Sequence, residues 1–237
     1  MPATVQENRG GCWLRYTDST TTWWAGAVLM HGREQVRDLA PRIAVAEDFY
    51  AAHGALARCQ VCPACPSDLD DALSLRRYQW DSVVSLQLAT PRHVSRHLSA
   101  PSLRVDLKEY PDAEWFRLLM AAQGPDADPT PEWRLLQRVH RPSAYATALI
   151  SGHPVAVGRA VADTGWTGVF GMATLPDARQ QGAASAVLAT LADWAGSQGS
   201  AHMYLQVTHN STAALRLYRR AGFEEACAYH YRTAVPC

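Results

Sequence analysis

The sequence predicts an α/β protein, a mixed central sheet flanked by helices on both faces. Three observations carry that expectation. Three strand-length apolar runs follow one another between 144 and 174, and helix-length and strand-length segments then alternate as far as 231. The 237 residues are 48% apolar and 19% charged, which suffices to bury a sizeable core. Lys plus Arg and Asp plus Glu number 22 each. No basic excess points to general nucleic-acid or membrane-surface binding. No apolar run approaches the ~20 residues of a membrane-spanning helix, and polar residues 1–10 lack the apolar core of a signal peptide. A cytoplasmic protein is expected, whose six cysteines need not pair.

The elements follow in order. Residues 23–30 are apolar and strand-like. Residues 33–50 form a helix candidate, with Val36, Leu39, Ile43, Ala46 and Tyr50 at spacings of three and four, which Pro41 should kink or divide. Residues 58–61 read as a short strand. Ser67 is the expected N-cap of a helix through Leu75, with two aspartates in its first turn to complement the dipole. Residues 83–88 are again strand-like, and 90–101 have the composition of a linker. The expected domains are therefore 1–98 and 102–237.

In the second half, 103–108 is a strand, and 112–123 and 132–140 are helices separated by the turn-rich segment 124–129. Strands at 144–150, 155–162 and 166–174 are joined by Ser151-Gly152-His153-Pro154 and Asp163-Thr164-Gly165, which suit hairpins. A helix over 183–196, a strand over 203–207, a helix over 211–221 and a final strand through Tyr231 complete the pattern.

The segment from Met172, Ala173 and Thr174 through Arg179, Gln180, Gln181, Gly182, Ala183 and Ala184 is where chemistry is expected. A strand stops at Pro176, a glycine permits close backbone approach, and a helix begins at once with Val187, Leu188, Leu191 and Ala195 on its buried stripe. Such a helix start offers free N–H groups to an anion, and small residues at 182–184 leave room for phosphates. An ordinary turn with Gly182 left-handed would leave the same local pattern. Downstream, Ala214, Leu217, Tyr218 and Ala221 mark one buried helix face, Gly222 its C-terminal cap, and Phe223 a residue that can pack back on its end.

Strand, Arg-x-x-Gly-x-Ala, helix, strand, Asn-containing turn, helix with Leu-Tyr, then Gly-Phe: this order resembles the GNAT superfamily of N-acyltransferases over the second half of the chain. The resemblance implies the GNAT fold and acetyl-coenzyme A, or another acyl-coenzyme A, as co-substrate, with no metal. Met172, Ala173 and Thr174 would bind the pantetheine arm from a strand splayed from its neighbour. The amides of 180–184 would hold the pyrophosphate beside Arg179, and Tyr218 would protonate the leaving thiolate. The acceptor implied is an amine on a small molecule or peptide, attacking directly in a ternary complex. Ala184 stands where the family often has a second glycine. Ser211 occupies the place of the family's usual Asn, with Asn210 one residue further from Tyr218; either can cap the helix.

The first half resembles, more weakly, the degenerate N-terminal half of certain actinobacterial two-domain GNAT proteins, on Cys12-Trp13-Leu14-Arg15 through Met30 and Arg58-Cys59-Gln60-Val61 through Leu88. Its nearest loop, His31-Gly32-Arg33-Glu34, places an acid where phosphates would sit. One donor site per chain is expected, with the first half shaping the acceptor site. Alternatives are an aminoacyl-tRNA or acyl-carrier-protein donor, or a non-catalytic coenzyme-A-binding protein.

Other signals are weaker. Cys59, Cys62 and Cys65 form part of a zinc or iron–sulfur pattern, but a fourth ligand is missing unless His53 serves, so no metal is expected. Trp23 and Trp24 could line an aromatic pocket or bury one ring of a strand. Asp163, His209 and Glu224, at loops or strand ends, are candidates to remove the proton of an attacking amine.

Overall fold

The computed structural model describes residues 3–19, 23–32, 39–98, 103–124 and 127–236. They fall into two compact units: residues 1–85 with 227–237, and residues 86–226.

The first unit contains β1 (Val5–Arg9), β2 (Cys12–Tyr16), a 3-10 turn (Trp23–Gly26), β3 (Val28–Met30), α1 (Ala40–Ala51), β4 (Arg58–Val61), α2 (Leu69–Leu75) and the first part of β5 (Gln79–Ala89). β1, β2 and β3 pair antiparallel in turn, and β3 pairs parallel with β4. β4 takes the C-terminal strand antiparallel, with Val61 opposite His230 and Arg58 opposite Thr233. Leu14, Val28, Met30, Ile43, Leu69 and Leu73 are fully buried between sheet and helices.

Local chemistry shifts several boundaries from expectation. Residues 23–26 form a 3-10 turn rather than strand, because the backbone packs tightly on itself there. A Cβ on Gly26 would lie 2.9 Å from the Thr17 nitrogen, and the Tyr50 hydroxyl is held between the carbonyls of Gly26 and Arg15. Pro41 sits in the first turn of α1 and opens the helix instead of kinking it, since its missing N–H is no loss there. Positions 33–38 of the expected helix, and Arg33-Glu34 of the loop after Gly32, lie outside the described residues. α2 has Asp68 rather than Ser67 at its N-cap position.

The second unit begins with the end of β5 and α3 (Pro91–His97). α3 replaces most of the expected linker. Thr90 caps it, its hydroxyl accepting the His93 N–H at 3.2 Å, and Pro91 opens it. Its Val94, and Leu98 just beyond, are buried in the unit's main core. Positions 99–102, where the boundary was expected, lie outside the described residues.

Then come β6 (Arg104–Lys108), α4 (Ala113–Gln123), α5 (Pro129–Gln137), β7 (Ser143–Ile150), β8 (His153–Asp163), β9 (Trp166–Thr174), α6 (Ala183–Ser197), β10 (His202–Thr208), α7 (Thr212–Arg220) and β11 (Glu224–Thr233), which ends in the first unit. α5 starts before Glu132, because Asp128 caps it through the Thr130 N–H at 2.9 Å and Pro129 fits its first position. The strand order β6-β7-β8-β9-β10 is antiparallel up to β9 and parallel between β9 and β10.

Strand alternation sorts this sheet's two faces. Ala144, Ala146, Ala148, Ala156 and Ala160 meet Val187, Leu188 and Leu191 of α6. Tyr145 and Val157 meet Trp115, Leu118 and Leu119 of α4 and Leu136 of α5. The fold is the mixed α/β sheet with flanking helices that the sequence predicts. No described helix is long and apolar enough to cross a membrane.

Candidate functional site

The site is built around the point where β9 leaves β10. Their parallel pairing covers Trp166, Thr167 and Gly168 against His202, Met203 and Tyr204, and stops there. From Val169 to Thr174, β9 keeps only its β8 neighbour, so the edge that faced β10 carries unpaired backbone groups.

A β-bulge falls in the same stretch. Arg159 opposes Phe170 and Val157 opposes Ala173, so the single residue Gly158 faces both Gly171 and Met172. Gly171 has φ +60°, which a side chain would strain. The extra residue shifts the alternation. The Met172 sulfur is turned toward the α6 face, into the space left by the missing side chain of Gly158. Ala173 then packs on the α4 and α5 face. Trp115 secures the partner strand by donating its indole N–H to the carbonyls of Ala146 and Gly158, both at 3.2 Å.

Beyond Thr174 a 3-10 turn (Pro176–Ala178) leads to Arg179, Gln180 and Gln181, all exposed. Gln180 has φ +63° and Gly182 φ +87°, so two left-handed residues flank Gln181 and curl the backbone ahead of α6. The Gln181 amide donates to the Asp177 carbonyl at 2.9 Å, closing the loop on itself. Gly182 is the N-cap of α6 and has no side chain to satisfy the first-turn N–H groups of Ala183 and Ala184. The first turn of this 15-residue helix holds no acidic residue to offset its positive end. The arrangement is a concave set of backbone donors suited to an anion.

Tyr218 lies on α7, which starts where β10 ends. The ring is 7% exposed, edge-on to Phe223 with centroids 5.9 Å apart. The Phe223 N–H donates to the Tyr218 carbonyl at 2.9 Å and the Gly222 N–H to Arg219 at 3.1 Å, a Schellman cap that fixes the tyrosine's backbone. Its hydroxyl makes no hydrogen bond among the described residues. Burial pushes its pKa up to about 12.

Ser211 stands at the N-cap position of α7, but its hydroxyl pairs with that of Thr208 at 2.8 Å instead of capping the helix. Exposed Asn210 precedes it.

Of the three base candidates, Asp163 lies apart from the other two. His209 follows β10 at the splayed end, its ring 3.2 Å from Glu225. Asp163 corrects the expectation: it sits at the opposite end of β9, paired with Arg141 at 3.5 Å. Eight residues of strand, ~26 Å, separate that end from Thr174. Glu224 opens β11 next to Glu225, the residue that touches His209.

One group escaped the sequence reading. Arg159 is 1% exposed, its guanidinium 5.1 Å from the Phe170 ring centroid. Burial lowers its pKa, against Tyr145, Glu132 and Tyr204, which favour its charge. A Cβ at Gly168 would strike the rings of Phe170 and Tyr204. The signal was an arginine inside the apolar run Val-Gly-Arg-Ala-Val, on the inward phase of the strand. Among the described residues no three His, Cys, Asp or Glu side chains are arranged to hold a metal.

Comparison with known proteins gives three kinds of match. The model of the Acetyltransferase (GNAT) family matches residues 107–223. An uncharacterized N-acetyltransferase of Bacillus subtilis strain 168, YobR, is 24% identical over 98% of this chain and 93% of its own. Among solved structures, a GCN5-related N-acetyltransferase from Kribbella flavida superposes with a TM-score of 0.72 at 19% identity, over 99% of this chain and 91% of that one. A tandem GNAT protein from the clavulanic acid biosynthesis pathway gives 0.69 at 9% identity, over 89% and 76%.

Proposed function

Residues 107–223 make this chain a member of the acetyltransferase (GNAT) family, and from that premise we propose that it moves an acyl group, acetyl in the simplest case, from acyl-coenzyme A to an amine of a small molecule or peptide. The observation that carries the reading is the free edge of β9 from Val169 to Thr174, running directly into the donor loop before α6. An extended pantetheine arm carries amides that can pair with such an edge. A pyrophosphate fits the N–H groups of residues 180–184, with Arg179 beside it.

In the reaction the amine nitrogen attacks the thioester carbonyl carbon and the carbon–sulfur bond breaks. N–H groups on the open edge of β9 polarise the carbonyl. The departing thiolate takes the Tyr218 proton, which solvent restores. His209 is the base candidate at this end of the sheet and would take the proton the amine gives up. Met172 packs under the strand, and Ser211, just before α7, would contact the cofactor. Donor binding and chemistry are assigned to the second half of the chain, 102–237 in sequence terms, with one coenzyme A per chain.

The test is native mass spectrometry with acetyl-coenzyme A, followed by thiol release against a panel of primary amines. One bound coenzyme A per chain and amine-dependent thiol release are expected. A protein that binds no acyl-coenzyme A in calorimetry would overturn the proposal.

A further inference from the structure

Cys59, Cys62 and Cys65 lie in the first unit, outside the proposed donor site, and the structure divides them. Cys59 lies in β4 and is fully buried in the first unit's core. At the end of β4 the chain reverses through Cys62-Pro63-Ala64-Cys65, closed by the Cys65 N–H donating to the Cys62 carbonyl at 2.9 Å. Pro63 presets φ for the second position of this β-turn. A β-turn brings its first and fourth Cα atoms within ~7 Å, which overlaps the ~4.4–6.8 Å that a disulfide spans.

The side chains exploit that proximity. Cys62 Sγ and Cys65 Sγ lie 3.6 Å apart, the Cys65 sulfur accepts the Cys62 N–H at 3.4 Å, and its thiol faces the Gln60 carbonyl at 3.4 Å. Cys62 is partly exposed and Cys65 buried. A small reagent therefore meets Cys62 first, and the nearest thiol to what it forms is Cys65.

We propose that Cys62 and Cys65 are a dithiol site for exchange with small-molecule disulfides, Cys62 attacking and Cys65 resolving. Hydrogen bonding supports the division of roles. The Cys65 thiol, with the N–H groups of Ala64 and Cys65, holds the Cys62 thiol below the usual range, while that shared bond and burial push Cys65 up. Cys62 thiolate attacks one sulfur of the disulfide, whose S–S bond breaks and releases one thiolate, protonated from solvent. Cys65 then loses its proton, attacks the Cys62 sulfur and expels the second thiol. The chain's two thiols are oxidised to one disulfide, and the reagent is reduced to two thiols.

The test uses the reduced full-length protein and glutathione disulfide, with free thiols then alkylated and peptides weighed. A single Cys62–Cys65 disulfide is expected, Cys65→Ser should accumulate a glutathione adduct at Cys62, and Cys62→Ser should leave Cys65 unmodified. A pulse of iodoacetamide on the wild-type chain at pH 7 needs no variant. It should label Cys62 at least ~10-fold faster than the similarly exposed Cys227. Both thiols staying reduced in excess glutathione disulfide, or equal labelling of Cys62 and Cys227, would overturn the proposal.

Discussion

Tyr218 shows how one residue serves packing and chemistry together. Its position was legible because Ala214, Leu217, Tyr218 and Ala221 repeat at helical spacing ahead of a Gly-Phe pair, and the helix is capped through that pair. What the spacing could not give is the state of the hydroxyl. Burial withdraws the phenol from water and disfavours its charged form, so it keeps its proton until about pH 12. On the proposed mechanism, Tyr218→Phe preserves the edge contact with Phe223 and removes only the proton. Steady-state kinetics should show turnover down by ~10²–10⁴-fold, with acetyl-coenzyme A affinity unchanged. The wild-type rate should not fall through Tyr218 ionisation at any pH below about 11. A phenylalanine variant at full turnover would assign the proton to water or another group.

At the scale of elements, the loop before α6 was readable from residues and the bulge was not. Small residues after a strand stop announce a helix start, and Gly182 proves left-handed there. The bulge depends on how two strands register, and neither strand encodes that alone; Gly171 in an apolar strand was its only local trace. α3 was misread as linker because Thr90-Pro91 signals a helix start only when Val94 and Leu98 find a core to enter. A substitution of Gly182→Val forces a β-branched residue into φ +87°, at a cost of ~1–2 kcal/mol, and puts methyls where backbone donors face outward. Calorimetry should show acetyl-coenzyme A binding weakened at least ~10-fold, which corresponds to ~1.4 kcal/mol. Unchanged affinity would remove the loop from the donor site.

Across the whole chain, the C-terminal strand returns to the first unit. Asp70 on α2 takes a bidentate pair from Arg232, at 2.8 and 3.0 Å, and a third bond from His230 at 2.7 Å. These partners are 160 and 162 positions away. Arg232 first, then His230, hold the Asp70 pKa at about 2, below its ordinary value of 3.8. A carboxylate whose folded pKa is depressed contributes stability above its unfolded pKa and loses it as pH falls toward the folded value. The contribution should be complete above about pH 4 and gone near pH 2. Urea midpoints of wild type and Asp70→Asn should therefore differ most at neutral pH and converge between about pH 4 and 2. A gap independent of pH would show that Asp70 acts through packing alone.

The sequence by itself determined the α/β alternation, the helix faces, the glycine-led loop at 179–184 and the placing of Tyr218, because each is written in residues a few positions apart. Only the tertiary structure decided where β9 parts from β10, which way the bulge turns Met172, and how Arg159 comes to lie beneath Phe170. It also decided that Cys62 and Cys65 meet while Cys59 joins the core, and that residues 230–233 pair with β4 in the sheet of the first unit. Each of these is a relation between distant segments, fixed by register and burial, and local propensity carries no record of which partner a strand will take.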